Sequence, residues 1–406
     1  MHFAPTSLAP MHPPLPRPRF AAILGRLRLV QRATALGLMA VTTLTAQTPP
    51  KDPARVRPPH GPLIVAPGIE LARLPESAIK GGAMTLLPDG RLMLVYAAKD
   101  VFEPAGTSSL RAVYSRDGGR TWGDARECFQ DSRFNPGRPT LLRARNGRLW
   151  LVVYGFQQRQ DKEGNGRSDL WVTSSTDNGA TWAPVHRLYE GYTAGQRAAI
   201  ETRDGRIVIV FSHAAGKEER NVSASLVSAD AGRTWRRSNT LELPGKGSHS
   251  GALEPTVIEL KDGRLWMLIR HPGEFYGSYS HDGGLTWTPP VATGISNPQP
   301  SGGAPASLIR LADGRLAMAW NPAVGVSPDA TPWQRIGRTQ LALAVSTDEG
   351  RTWSPPAVIA RTTFLCYPHL IETAPGQLVL STGLLKAEGF KTDVVVFHFA
   401  ASAVLK

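Results

Sequence analysis

The chain has 406 residues, of which 41% are hydrophobic and 19% charged, with 2 cysteines and a formal net charge of +13. This composition excludes a collagen, a coiled coil and a disulfide-stapled scaffold. Forty glycines and 34 prolines favour a turn-rich β protein over a helical one.

The N-terminal stretch holds Arg17, Arg19, Arg26, Arg28 and Arg32 and no acid, and from residue 33 it runs into the uncharged segment ATALGLMAVTTLTA. An apolar run this short does not span a bilayer comfortably. A basic flank before it and small residues at its end read as a secretory signal over residues 1–46. Residues 47–60, QTPPKDPARVRPPH, form a proline-rich linker that cannot pack, which leaves 61–406 as the folded domain. The expected location is periplasmic or secreted, with no stable membrane insertion after cleavage. Without the five N-terminal arginines the remaining charge is +8, which suits an anionic ligand. No Lys/Arg run is interleaved with aromatics, so nucleic acid is not expected as a partner. Cys128 and Cys366 sit in unrelated contexts without metal spacing.

The domain is internally repeated. Asp89-Gly90-Arg91, Asn146-Gly147-Arg148, Asp204-Gly205-Arg206, Asp262-Gly263-Arg264 and Asp313-Gly314-Arg315 recur, followed by a degenerate Pro375-Gly376-Gln377, with the glycines 51 to 62 residues apart. Asp-Gly or Asn-Gly between apolar runs is a hairpin signal, because both central residues need positive φ. A second pattern, Ser-x-Asp-x-Gly-x-Thr-Trp, occupies Ser115–Trp122, Ser175–Trp182, Ser228–Trp235, Ser280–Trp287 and Ser346–Trp353. Its Asp and Gly suit a tight turn in which the carboxylate caps backbone N–H groups, and its Trp is expected to pack the turn onto its own sheet. These five aspartates are therefore structural rather than catalytic. Strand, Asp-Gly turn, strand, loop, strand, Asp turn, strand is the grammar of a propeller blade. The fold expected is all-β, a six-bladed β-propeller. The sixth repeat has three strands, and Leu63–Arg73 is free to supply the fourth and close the ring.

Site candidates follow from blade equivalence. Nine and eight residues before the turn glycine stand Arg138-Pro139, Glu254-Pro255 and Tyr367-Pro368, in repeats two, four and six; Gln196-Arg197 occupy the place in repeat three. A residue before proline is expected to be extended, so three functional groups arrive at equivalent strand starts around one axis. Seven residues after the glycine come Arg270 and Asn321, and Arg338 opens the third strand of repeat five. His213, at the end of a second strand, and His271 and His369 are weaker candidates, since a lone histidine serves many roles. No phosphate loop, dinucleotide fingerprint or zinc spacing is present. The loop DKEGNGRSD (161–169) has Val172 where a calcium loop needs glutamate. Neither metal nor cofactor is expected.

The five Ser-x-Asp turns and six hairpins resemble the BNR/Asp-box sialidase superfamily over about residues 61–406. The resemblance implies a six-bladed propeller acting on an acidic glycan. It implies Tyr367 as nucleophile, Glu254 as the partner that takes its proton, and Arg270 and Arg338 as two of three arginines that grip the substrate carboxylate. A neutral tyrosine suits a sugar whose anomeric carbon bears a carboxylate, which would repel a carboxylate nucleophile. Two positions depart from the family pattern. Lys80 stands where the first arginine belongs, keeping charge but losing the bidentate fork; Arg138 or Lys99 could restore a third cation. The family's acid/base aspartate is missing from its place before the third strand of blade one, where Asp100 and Glu103 lie displaced. Asp100 is taken as the acid/base residue. Lys80, Arg138, Asn321 and His213 complete the substrate-binding set, and the protein is expected to act as a monomer. Two alternatives stay open: a lyase on uronate chains, in which Tyr367 or His213 moves protons, and a non-catalytic glycan-binding propeller.

Overall fold

The computed structural model describes residues 62–79, 81–98, 104–157, 167–193, 198–215, 220–247, 250–297, 303–322, 338–386 and 391–405. They form six antiparallel sheets, each with its strands in meander order. The first comprises Gly82–Leu86, Leu92–Ala97, Ser109–Ser115 and Arg126–Gln130. The last sheet combines Leu365–Ala374, Gln377–Leu385 and Lys391–Ala400 with Glu70–Ile79 from the other end of the chain, and Glu70 pairs with His398. A further short strand, Ile64–Val65, lies beside Ala357–Arg361 on the outer edge of blade five. The chain is thus a six-bladed β-propeller.

The core lies between blades, and this explains the sequence. Each second strand is apolar on both faces, as in Leu92–Ala97 and Leu265–Arg270, where every residue is buried. A strand covered on both sides has no solvent face to alternate toward. Six apolar clusters fill the six interfaces. Leu94 and Val113 of blade one, for example, pack with Val379, Val394 and Val396 of blade six. Glutamate side chains tie neighbouring blades: the Arg145, Arg203 and Ala312 backbone N–H groups donate to the carboxylates of Glu201, Glu259 and Glu372 of the next blade at 2.6–2.8 Å.

The five Ser-x-Asp turns are built alike. In each, the serine hydroxyl donates to the aspartate (2.6–2.9 Å) and accepts from the glycine N–H at 2.8 Å, while the threonine N–H donates to the aspartate at 2.9 Å. These bonds hold the Asp177, Asp230 and Asp348 carboxyls down at about 2. The tryptophans, however, do not pack onto their own sheets alone. Trp235 meets Trp150 of blade two edge-on, and Trp353 stacks on Trp266 of blade four. Trp287 donates to Ser225 of blade three at 2.8 Å. A turn sitting at a blade corner finds its nearest unfilled apolar surface on the preceding blade, so the motif is a blade-to-blade clasp.

Candidate active site

Arg138, Glu254 and Tyr367 share one local backbone. The pairing of each first strand with its neighbour slips between Gly137 and Thr140, Leu253 and Thr256, and Cys366 and His369. At each slip the residue before proline has positive φ: 45° at Arg138, 28° at Glu254 and 58° at Tyr367. This corrects the expected extended conformation. Proline removes the right-handed helical option from the residue before it, and the bulge then selects the left-handed well, which costs a non-glycine residue roughly 1–3 kcal/mol. A bulge re-aims the side chain it carries. Repeating it on alternate blades turns an arginine, a glutamate and a tyrosine toward one place.

They meet there. Glu254 is 3% exposed. Its carboxylate accepts from Arg138 at 2.6 Å through one oxygen and from Arg270 at 2.5 Å through the other. Its own N–H donates to Ser212 at 3.1 Å. The Arg138 guanidinium carbon lies 4.8 Å from the centre of the Tyr367 ring, and that of Arg338 lies 5.6 Å from it. Burial works against the Arg138 charge, but Tyr367, Tyr154 and Glu254 outweigh it and hold its pKa well above the ordinary arginine value. Arg338 behaves oppositely. Burial, and then repulsion from Arg270, pull its pKa below that value, against the opposing pull of Tyr367 and Glu254. Its Nη2 donates to the Gly303 carbonyl at 3.1 Å, and among the described residues no carboxylate pairs with it and its Nε has no acceptor. A desolvated cation beside a second guanidinium has the chemistry to hold an anion.

Arg138, Thr140, Ser307, Tyr367 and His369 line a narrow axial cavity. His369 there accepts from the Met84 N–H at 3.3 Å, joining blade six to blade one. A larger groove of about 830 Å³ runs between the turns of blades one and two, past Tyr114, Trp122 and Asp177, and holds none of the site candidates. Asn321 is fully buried and donates to the Gln340 carbonyl at 2.8 Å, in the same blade as Arg338. His213 is placed elsewhere. It bonds to the Tyr189 hydroxyl at 3.0 Å and to Arg237 at 2.7 Å, between blades two and three. Burial first, and Arg237 in addition, lower its pKa. His271 is bonded to the Pro272 and Pro244 carbonyls. Lys80, Lys99, Asp100, Glu103, Gln196 and Arg197 lie outside the described residues.

Two contributors were missed from sequence. Tyr154 is a hydrogen-bond partner of Arg138, with burial pushing its pKa up against that arginine's opposing charge. Ser212 holds the Glu254 backbone. Both stand seven residues after their turn glycines, Gly147 and Gly205, the offset that marked Arg270 and Asn321, so the same count finds them.

A family model described as BNR repeat-like domain matches residues 128–380. The chain belongs to this BNR repeat-like family. Sialidases are among the relatives: 27% identity to a sialidase of Micromonospora viridifaciens over 78% of this chain and 51% of that one, and 30% to one of Paraclostridium sordellii over 44% and 49%. The chain spans about half the length of these sialidases. Among solved structures, the NanB sialidase from Streptococcus pneumoniae superposes with a TM-score of 0.61 at 14% identity, over 82% of this chain and 70% of that one. A protein of unknown function from Dyadobacter fermentans gives 0.64 at 21%, over 82% of this chain and 100% of that one. This BNR-family chain therefore has the sialidase-like propeller. No helix among the described residues is long and apolar enough to cross a membrane.

Proposed function

We propose that this protein is a secreted sialidase-like glycoside hydrolase acting on a terminal acidic sugar, exported by the signal at 1–46. The observation that carries the reading is the convergence of Glu254, Tyr367, Arg270 and Arg338, the last without a paired carboxylate among the described residues. The sugar carboxylate binds Arg338 and the remaining N–H groups of Arg270. The Tyr367 oxygen attacks the anomeric carbon as its proton passes to Glu254. The bond to the leaving oxygen breaks, and that oxygen takes a proton from an acid, which we assign to Asp100. Water then attacks the same carbon and gives its proton to Asp100, while the departing Tyr367 oxygen recovers its own from Glu254. Asn321 and Lys80 serve the substrate side of the pocket.

Incubation with 3′-sialyllactose and, separately, with a uronate chain tests this. Free sialic acid is the expected product. Ultraviolet absorbance from an unsaturated uronate would establish the lyase instead, and binding without any product would establish a glycan-binding propeller.

A further inference from the structure

Arg138 is the feature of the site that the proposed reaction leaves unused. It sits on blade two, in the same left-handed bulge as the glutamate and the tyrosine. Its guanidinium is engaged on three sides: by Glu254 at 2.6 Å, by the Tyr367 ring at 4.8 Å and by the Tyr154 ring at 5.8 Å. A group so occupied is poorly placed to be the third carboxylate-binding arginine. We infer that Arg138 is a positioning residue for the nucleophile, holding the Glu254 carboxylate beside Tyr367 and stabilising the negative charge that develops on the Tyr367 oxygen.

The physics is differential. A cation near the face of a neutral phenol is held by the ring quadrupole, worth about 2 kcal/mol when desolvated. The same cation near a phenolate gains a full charge–charge attraction in a site of low dielectric. Arg138 thus favours the deprotonated oxygen over the protonated one, the bias a nucleophile needs. The guanidinium is suited to this, because it keeps its proton while serving two partners with separate N–H groups. Tyr154 closes the remaining side as a neutral ring. Of the other titratable groups around this cluster, Arg338 faces the Tyr367 ring and His369 lines the same cavity, Glu254 and Tyr192 act on Arg138, and Cys366 is adjacent in the chain.

This inference rests on the reading of Tyr367 as nucleophile, but its test needs no turnover. Alkaline absorbance titration near 295 nm, wild type minus Tyr367→Phe, isolates this phenol. Arg138→Gln should move the absorbance midpoint to higher pH by about one unit or more, and Arg138→Lys, which keeps the charge, should recover part of the shift. An Arg138→Gln midpoint equal to wild type would overturn the inference. Should Arg138→Gln fail to fold, Arg138→Lys decides by the same reading, since its displaced charge should raise the midpoint by a few tenths, and an unmoved midpoint refutes. A protein inert toward sialosides would remove the proposed activity and leave this titration to judge Arg138 alone.

Discussion

Arg338 should be a residue that the fold would be better without. Its side chain is buried, beside Arg270, with one carbonyl acceptor and two aromatic rings, Tyr367 at 5.6 Å and Phe364 at 5.5 Å. Desolvating an ion costs several kcal/mol even after relaxation. Against this stand a charged hydrogen bond, worth about 1.5–3 kcal/mol, and about 1–2 kcal/mol of cation–π attraction. We predict that Arg338→Met, which fills similar volume without charge, stabilises the protein by about 1–3 kcal/mol. With roughly 2.1 cal/mol/K of unfolding entropy per residue over some 340 residues, 2 kcal/mol raises the midpoint by about 3 °C. The same change should weaken N-acetylneuraminic acid about 100-fold, since a charge-assisted contact of roughly 3 kcal/mol is lost. Differential scanning calorimetry and titration calorimetry read the two effects. A melting temperature lowered by several degrees would refute the argument that this charge is held at a cost for function, and unchanged acid binding would refute its role as the anion seat.

Three further outcomes are expected. Tyr367→Phe should abolish hydrolysis of 3′-sialyllactose while leaving product binding within about twofold, because only the attacking oxygen is removed; retained hydrolysis in a coupled sialic acid assay would end the nucleophile assignment. Gly251→Ala should destabilise the domain by about 2–4 kcal/mol in urea unfolding, because its φ of +80° disfavours a side chain and the new Cβ would stand 2.2 Å from the Asn221 carbonyl oxygen; an unchanged urea midpoint would contradict it. Acid titration followed by tryptophan fluorescence should show stability lost between about pH 4 and pH 2. The turn carboxylates are lowered from 3.8 to about 2 in the fold, so their contribution is complete above the unfolded value and disappears as pH falls through the folded one; a flat response across that window would show the turns to be electrostatically idle.

The architecture was legible because blades are repeats: the Asp-Gly hairpins fix where strands reverse, and the apolar runs on either side of them are the strands. Equivalence between blades also located Arg138, Glu254 and Tyr367, since counting from a turn glycine is counting along a strand of fixed rise. What the sequence hid is conformational and relational. Proline restricts its predecessor without saying which allowed well a bulge will use, so the left-handed backbone was invisible. That Arg138 faces Glu254, 116 residues away, depends on how blades are set around the axis. His213 shows the limit of positional counting: it ends its strand at a promising height, yet Tyr189 and Arg237 hold it between blades. The turn tryptophans were read onto one sheet only for the same reason, because a local motif does not name its long-range partner.

The pairing of Glu70–Ile79 with Lys391–Ala400 carries a kinetic consequence. It brings together segments about 320 residues apart, as Arg73 and Asp393 are, and closing a loop that long costs about 5 kcal/mol of chain entropy. Five blades can assemble from neighbours in sequence, but the seam must wait for the last strand, and until then two apolar flanks stand open to other chains. Once shut, the seam cannot be undone a residue at a time without baring those flanks again. The ring should owe its endurance to a high barrier to opening more than to a deep equilibrium well.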